Sequence, residues 1–193
     1  MKTLQYYNIH FLISTFFGLG KTPKIPGTIG SIAAFPVAYY IFSLAIAAHH
    51  TLFLESEVIF FCIIFSLIST LIIFVIGTYC ADRYSKLTEI NDPKEVVIDE
   101  VVGQMLTIFL TIPFSFMFLS NSVPTDLLVI ISLLVSFILF RIFDILKPWP
   151  INWIDKKIKG GFGIMLDDVM AAIFAIVVYD AVLIYIIDYF TTK

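Results

Sequence analysis

Charged side chains are scarce in this sequence, and their scarcity excludes a soluble globular domain. Only 14% of the 193 residues are charged, whereas 60% are hydrophobic and the mean hydropathy is +0.98. Soluble domains carry about 25% charged residues, so this composition indicates an integral membrane protein. An excess of positive charge is also absent, because the formal net charge is −3. A nucleic-acid partner is therefore excluded, since binding along a phosphate backbone needs a basic surface.

Cysteine and histidine are too few and too scattered to carry chemistry. Cys62 and Cys80 lie in one apolar run, about 27 Å apart if that run is a helix, so they cannot form a disulfide. His10, His49 and His50 lie outside the polar motifs described below, which excludes a phosphohistidine mechanism. The short signatures of cysteinyl phosphatases and of aspartyl-phosphate enzymes are also missing.

Apolar runs dominate what is present, and five of them have the roughly 20 residues that a span needs. They lie near residues 29–48, 58–80, 96–119, 126–146 and 164–188. The shorter stretch at 4–20 contains Asn8 and His10 and is interpreted as an interfacial or re-entrant helix. The amphipathic stretch 151–159 predicts a short helix at the membrane surface. We therefore expect an all-α, polytopic membrane helix bundle that forms one domain over residues 1–193.

Lysine and arginine are distributed unevenly among the connections between these spans. They occur before the first span and in the second and fourth connections, whereas the connections HHTLFLESE and SNSVPT contain none. Because cytoplasmic loops are enriched in Lys and Arg, we expect the basic connections in the cytoplasm and the others outside. Every polar cluster described below then lies at the cytoplasmic ends of spans, where the clusters can form one site.

The first polar cluster is PGTIGS, directly before the first span. Its glycines allow close backbone approach and its hydroxyls can bind an anion at a helix N-terminus. These residues are Gly27, Gly30, Thr28 and Ser31. The same residue types are typical of an ordinary turn and N-cap. The neighbouring Lys21 and Lys24 favour a phosphate as the ligand.

The second cluster is NDPKEVVIDEVVGQ. Asp92, Pro93 and Glu95 have the spacing of a helix start, with Asp92 as N-cap, and are interpreted as structural. On this interpretation Asp99 and Glu100 come two turns later, beyond the reach of the helix dipole. Carboxylates at membrane depth are costly and are usually functional, so we assign Asp99 and Glu100 to a functional site.

The third cluster is FRIFDILKPWPINWIDKKIK. Arg141, Asp144 and Lys147 recur at intervals of three and are predicted to form one stripe at the end of the fourth span. An Arg–Asp pair alone could simply neutralise itself, but three aligned ionisable groups favour function. The lysines that follow are explained by the positive-inside rule and are interpreted as structural. They are Lys156, Lys157 and Lys159.

The fourth cluster is GGFGIMLDDVMAA, in which Asp167 and Asp168 stand side by side in an apolar run. A charge at membrane depth costs at least ~2.5 kcal/mol, so an intramembrane Asp requires a partner. The pair is predicted about one turn inside the fifth span. Adjacent side chains on a helix point about 100° apart, so each Asp is expected to face a different neighbour.

Together the clusters predict a magnesium site with a phosphate-binding border. Packed carboxylates repel one another unless a cation intervenes, and Mg²⁺ prefers oxygen ligands while leaving positions for water and phosphate. The expected metal ligands are Asp99, Glu100, Asp144, Asp167 and Asp168. Asp99, Glu100 and Asp144 are also the catalytic candidates, Asp144 as metal ligand or general base. Arg141, Lys147 and Lys21 are expected to bind the phosphate, and a metal-activated water is expected to attack phosphorus.

The motifs GTIGS, DPKEVVIDEVVGQ, FRIFDILKPWPINWID and GGFGIMLDDVMAA resemble the signature of the phosphatidylglycerophosphatase A family, in the family's order across residues 27–172. Its members are Mg²⁺-dependent lipid phosphatases of the bacterial inner membrane. The resemblance implies hydrolysis of phosphatidylglycerophosphate to phosphatidylglycerol and inorganic phosphate at the cytoplasmic face of a multi-pass protein. The expected substrate-binding residues are then Lys21, Thr28, Gly30, Ser31, Arg141, Lys147 and Asp155.

Two other classes of membrane protein were weighed against this interpretation. An ion or anion transporter could use the acidic cluster as a binding station, but it needs polar residues through the membrane midplane. The predicted spans are nearly pure Leu, Ile, Val and Phe away from their cytoplasmic ends. A CDP-alcohol phosphotransferase would carry a DGxxAR…GxxxDxxxD run, which this sequence lacks.

Overall fold

The computed structural model describes residues 8–52 and 58–191, and these form seven α-helices and a single 3₁₀ turn at Leu19–Lys21. The helices are α1 (Ile9–Ser14), α2 (Pro26–Leu52), α3 (Val58–Thr88), α4 (Ile98–Leu119), α5 (Thr125–Leu146), α6 (Ile151–Lys157) and α7 (Gly160–Thr191). The predicted all-α membrane bundle is therefore confirmed.

Five of the helices, α2, α3, α4, α5 and α7, are long and apolar enough to cross a membrane, as the sequence predicted. Their first residues lie within four positions of the predicted starts. The largest difference is at the end of α3, which continues from the predicted position 80 to Thr88. Its 31 residues span about 46 Å, which exceeds the ~30 Å hydrocarbon core, so the polar last turns of α3 extend beyond the apolar layer.

Helix α4 lies at the centre of the bundle and contacts each of the other four long helices. Its most apolar window is 61% buried inside the protein, compared with 39% or less for the other spans. Small and hydroxyl-bearing residues make this central position feasible, because they let neighbouring helices approach closely. Gly103, for example, packs directly against the ring of Phe140 on α5.

Buried hydroxyl groups continue along α4 toward the other side of the membrane. Thr107 and Thr111 donate hydrogen bonds to backbone carbonyls four residues earlier, at 2.9 and 2.8 Å. Ser115 then forms a hydrogen-bonded group with Ser132 of α5 and Tyr179 of α7. The interior of the bundle is thus less purely apolar than the sequence analysis expected, but these hydroxyls satisfy one another and the helix backbone.

Helix α1 packs against the end of α3, where His10 contacts Tyr79 and Phe11 contacts Tyr84. It has six residues, too short to cross a bilayer, and it lies beside the polar end of a span. This position favours the interfacial form of the predicted N-terminal helix over the re-entrant form. Positions 4–7 of the predicted stretch lie outside the described residues.

The predicted helix start at Asp92 is wrong, because the chain remains irregular until α4 begins at Ile98. Tertiary contacts fix residues 92–97 in an irregular conformation, where the sequence predicted a first helical turn. The Val97 N–H donates to the Ser14 carbonyl at 2.9 Å, and the Tyr84 hydroxyl donates to the Glu95 carboxylate. The segment is thereby fixed against α1 and α3, and local capping signals were overridden by these partners.

The predicted amphipathic helix is confirmed as α6, between α5 and α7. Ile151 and Ile154 are buried on its inner side, whereas Trp149 and Trp153 are exposed. Tryptophan is enriched at membrane interfaces, and the lysines at the end of α6 are exposed beside it. The helix therefore has the composition of an interfacial element next to the polar ends of the spans.

We expect Gly103→Ala to lower the stability of the bundle. A Cβ at this position would lie 2.5 Å from Cε2 of Phe140 and 3.0 Å from the carbonyl oxygen of Asp168. Overpacking of this kind costs about 1–3 kcal/mol. Thermal unfolding of the detergent-purified protein should show a lower midpoint, while Val177→Ala on the lipid-facing side of α7 should change it little. An unchanged midpoint for Gly103→Ala would contradict this packing.

Candidate active site

An acidic cavity of about 220 Å³ lies where the ends of α2, α4, α5 and α7 meet the segment before α4. Six carboxylates and two lysines line it. The carboxylates are Asp92, Asp99, Glu100, Asp144, Asp167 and Asp168, and the lysines are Lys94 and Lys147. All five carboxylates that the sequence analysis assigned to a metal site therefore line one cavity, although they come from three helices.

Three of these carboxylates form a compact triad. One oxygen from each of Asp99, Glu100 and Asp168 lies within 4.8 Å of the others. Asp99 Oδ1, Glu100 Oε2 and Asp168 Oδ2 are buried and have no hydrogen-bond partner in the described structure. Buried carboxylate oxygens without partners are costly. The three residues that carry them converge, and their carboxylates form an oxygen donor set of the type that hard divalent cations prefer.

The position of Asp99 and Glu100 within their helix differs from the prediction. Because α4 begins at Ile98, both residues lie in its first turn rather than two turns inside it. The positive end of the helix dipole therefore stabilises them in part, and depth alone is no argument for function. Their assignment to the site now depends on their convergence with Asp168 from α7.

Arg141 and Asp144, one turn apart on α5, form an ion pair beside the triad. Both side chains are mostly buried, with 16% and 12% of their surfaces exposed. The guanidinium also donates a long hydrogen bond of 3.4 Å to Ser31 Oγ, and Ser31 in turn donates to the Gly27 carbonyl at 3.0 Å. The beginning of α2 thus contributes, through Ser31, to holding the Arg141 guanidinium beside Asp144.

Gly27 lets the start of α2 approach the triad. A Cβ at this position would overlap Oε1 of Glu100 and would lie 3.0 Å from Nη1 of Arg141. Gly30, one turn later, packs against Val97 at the start of α4. The PGTIGS motif therefore functions chiefly as a close helix contact beside the site. Its Thr28 is half-buried and does not line the cavity.

The sequence analysis expected Lys147 to continue the stripe of Arg141 and Asp144, and this expectation is wrong. Helix α5 ends at Leu146, and Lys147 caps it with left-handed backbone angles, φ 41° and ψ 59°. This turn directs the ammonium group to Asp167 on α7, at 2.6 Å, and to Asp155 on α6, at 3.0 Å. Burial acts to lower the pKa of Lys147, but the two carboxylates outweigh it and raise this pKa above its ordinary value.

The neighbouring aspartates of α7 face different partners, as their spacing predicted. Asp167 pairs with Lys147, whereas Asp168 belongs to the triad. They lie about two turns inside α7 rather than one, because the helix begins at Gly160, before the predicted start at 164. Asp167 also has one buried oxygen, Oδ1, without a hydrogen-bond partner.

Several residues that the sequence analysis expected to bind the substrate do not line the cavity, namely Lys21, Thr28, Gly30, Ser31, Arg141 and Asp155. Lys21 has its own partner elsewhere. Its ammonium lies over the ring of Phe11, 4.6 Å from the centroid, and the residue does not line the cavity. Conversely, sequence reasoning missed Asp92 and Lys94, which do line it. Their place a few residues before Asp99 in the same motif was a signal, but the helix-start interpretation assigned Asp92 to capping and left Lys94 without a role.

This arrangement can bind a cation and a phosphate side by side. Each triad residue has one oxygen without a hydrogen-bond partner in the described structure, Lys147 and Lys94 line the same cavity, and Arg141 pairs with Asp144, which also lines it. A polar cavity at the end of a membrane bundle is also accessible to a lipid head group whose acyl chains remain among the helices' lipid-facing side chains.

Comparison with known proteins gives one family. The family model described as Phosphatidylglycerophosphatase A matches residues 12–183. A phosphatidylglycerophosphatase A of Escherichia coli (strain K12) is 32% identical over 170 residues, which cover 88% of this chain and 81% of the relative. The phosphatidylglycerophosphatase A of Haemophilus influenzae is 32% identical over 182 residues, covering 94% and 93%.

A further relative carries a different name. The protein of Bacteroides thetaiotaomicron named "Putative phosphatidylinositol-3-phosphatase" is 28% identical over 167 residues, which cover 86% of this chain and 88% of the relative. No solved structure matches the chain. Both names describe the removal of a phosphate from a phospholipid.

We expect Gly27→Ala to reduce phosphatase activity without unfolding the protein. The added methyl group must displace the carboxylate of Glu100 or the guanidinium of Arg141. A displacement of about 1 Å in a catalytic group can cost on the order of 100-fold in rate. Phosphate release should therefore fall sharply, whereas Ile32→Ala on the exposed side of the same helix should stay near wild type. Full activity in Gly27→Ala would show that this contact does not position the site.

Proposed function

Since the chain belongs to the phosphatidylglycerophosphatase A family, we propose that it hydrolyses phosphatidylglycerophosphate to phosphatidylglycerol and inorganic phosphate, using Mg²⁺ at the cytoplasmic membrane face. The enzyme class follows from the family, whose matched relatives are named as phosphatases. The triad of Asp99, Glu100 and Asp168 is the observation that carries the proposal, because it supplies what a metal-dependent phosphatase needs at one point.

The triad residues fit Mg²⁺ by their chemistry. Their donors are carboxylate oxygens, three of those oxygens are buried without partners, and they are contributed by two different helices. Mg²⁺ prefers such ligands and keeps further positions for water and substrate phosphate. When bound, the ion supplies positive charge that stabilises the phosphoryl group in the transition state and lowers the pKa of water.

The remaining residues of the cavity have roles that follow from their contacts. Arg141, oriented by Ser31 and Asp144, presents a guanidinium that suits phosphate oxygens. Asp144 lines the cavity beside the triad without being one of its members, and we assign it the proton of the attacking water. Lys147 neutralises Asp167 and joins α7 to α6 through its ion pairs with Asp167 and Asp155. This holds the neighbouring Asp168 close to Asp99 and Glu100.

The position of this cavity suits a phospholipid with two acyl chains. The site lies at the ends of spanning helices, so the phosphate can reach the carboxylates while the acyl chains stay in the bilayer. The transport alternative is not favoured. Hydrogen bonds among Ser115, Ser132 and Tyr179 satisfy the buried hydroxyls further along the bundle, and these carry no charge with which to conduct an ion.

We expect purified protein to release phosphate from phosphatidylglycerophosphate with Mg²⁺ and to lose this activity with a chelator. Asp168→Asn should reduce the rate by at least about 100-fold and weaken the binding of Mn²⁺, measured by electron paramagnetic resonance as a second readout. Asp126→Asn, at the opposite end of α5, should change neither. Metal-independent hydrolysis would overturn the magnesium assignment. Hydrolysis of phosphatidylinositol 3-phosphate at a higher rate than phosphatidylglycerophosphate would overturn the proposed substrate.

The orientation of the protein in the membrane has a separate test. In a Cys62→Ala, Cys80→Ala background, single cysteines are introduced by Lys157→Cys in α6 and by Asn121→Cys in the turn after α4. The positive-inside rule predicts that a membrane-impermeant maleimide labels the Asn121→Cys protein in intact spheroplasts and the Lys157→Cys protein only after permeabilisation. Labelling in the reverse pattern would place the acidic cavity on the outer face.

A further inference from the structure

The cations predicted from sequence to bind the phosphate are largely engaged with protein groups. Arg141 pairs with Asp144 and donates to Ser31. The Lys147 ammonium lies between Asp155 and Asp167, and Lys21 lies over an aromatic ring outside the cavity. A phosphate that enters the cavity therefore meets an excess of negative charge with little uncommitted positive charge to offset it.

Lys94 differs from these residues. It lines the cavity, and no carboxylate in residues 8–52 and 58–191 lies within 4.0 Å of its ammonium. It is exposed to solvent, and it belongs to the irregular segment that contacts with α1 and α3 hold in place. Its charge is therefore available at the rim of the cavity, on a backbone that is itself fixed.

We propose that Lys94 binds the terminal phosphate of the lipid substrate and makes the site prefer a phosphomonoester to the phosphodiester product. This inference rests on the proposed function and extends it to substrate capture and product release. A phosphomonoester carries about −1.5 to −2 charges at neutral pH, and its hydrolysis removes them from the lipid. The product keeps a single phosphodiester charge, so it loses the group that Lys94 holds.

The chemistry of lysine suits this task at an open rim. Its ammonium is a compact charge on a flexible stem, so it can follow a head group that enters from the membrane surface. Charge-assisted hydrogen bonds to phosphate are stronger than neutral ones, and at an exposed position they remain sensitive to salt. Binding at the rim also brings the phosphate past Asp92, which lines the same entrance.

The test compares Lys94→Ala, Lys94→Arg and Lys94→Glu in mixed micelles containing phosphatidylglycerophosphate and Mg²⁺. For Lys94→Ala we expect KM to rise about tenfold while kcat stays within about twofold, since only a charge-assisted contact to the ground-state phosphate is lost. Lys94→Arg should stay close to wild type, and Lys94→Glu should raise KM further. Lys157→Ala, which removes an exposed lysine of α6 outside the cavity, is the matched control.

Two readouts separate phosphate binding from a structural effect. The inhibition constant of phosphatidylglycerol should be the same for wild type and Lys94→Ala, because the product lacks the phosphomonoester. Added salt should raise the KM of wild type more than that of the variant, since screening weakens an interaction that the variant has already lost.

The outcomes distinguish this inference from the function on which it rests. Absence of hydrolysis by the wild-type protein overturns both. Hydrolysis with an unchanged KM in Lys94→Ala, or a parallel weakening of product inhibition, overturns only the role of Lys94. A raised KM with unchanged product inhibition and a weaker salt dependence supports it.

Discussion

Mutual repulsion among carboxylates at the ends of membrane helices is the constraint to which this structure responds. Asp99, Glu100 and Asp168 approach one another within 4.8 Å in a largely buried setting, which is unfavourable without positive charge between them. In the part of the chain that the structure describes, no lysine or arginine forms an ion pair with a triad carboxylate. Instead, Arg141 pairs with Asp144 and Lys147 pairs with Asp167, while each triad residue keeps one buried oxygen without a hydrogen-bond partner in the described structure.

The scaffold around the site is built to bring helix ends together. Gly27 and Gly103 remove side chains where α2 meets Glu100 and where α4 meets Phe140 and the backbone of Asp168. Buried hydroxyls along α4 form hydrogen bonds where longer side chains would separate the helices. Close packing of this kind is the main source of association between helices in a membrane, where water supplies no hydrophobic driving force between them.

Placement at the end of the bundle also matches the substrate that the family indicates. A phospholipid phosphate lies at the membrane surface, and the cavity lies among the helix ends and the segment before α4. On the proposed role of Lys94, whose ammonium has no carboxylate partner among the described residues, this lysine would attract the phosphate first, and the paired cations would orient it afterwards. On the proposed function, a divalent cation held by the triad carboxylates would offset their repulsion of the phosphate.

Much of this protein could be predicted from its sequence, because the relevant signals are local. Hydropathy over roughly 20 residues located the five spans, and an adjacent Asp167–Asp168 pair predicted two different partners. The signals failed where long-range contacts compete with local ones. Asp92 and Pro93 have the spacing of a helix start, yet a hydrogen bond donated by the Val97 N–H and one accepted by the Glu95 carboxylate tie that segment to other elements and keep it irregular.

The sequence by itself therefore determined the membrane class, the helices and the set of acidic residues, since periodicity, length and charge are properties of the chain. Only the tertiary structure decided which of those acidic residues converge in the triad and which are neutralised by a cation of the protein. Lys147 turns away from Arg141 because α5 ends one residue earlier, and Lys21 is kept outside the cavity by its position over Phe11. Which cation pairs with which carboxylate depends on where helices from distant parts of the chain approach one another. The spacing of residues along the sequence does not give the distances between those helices.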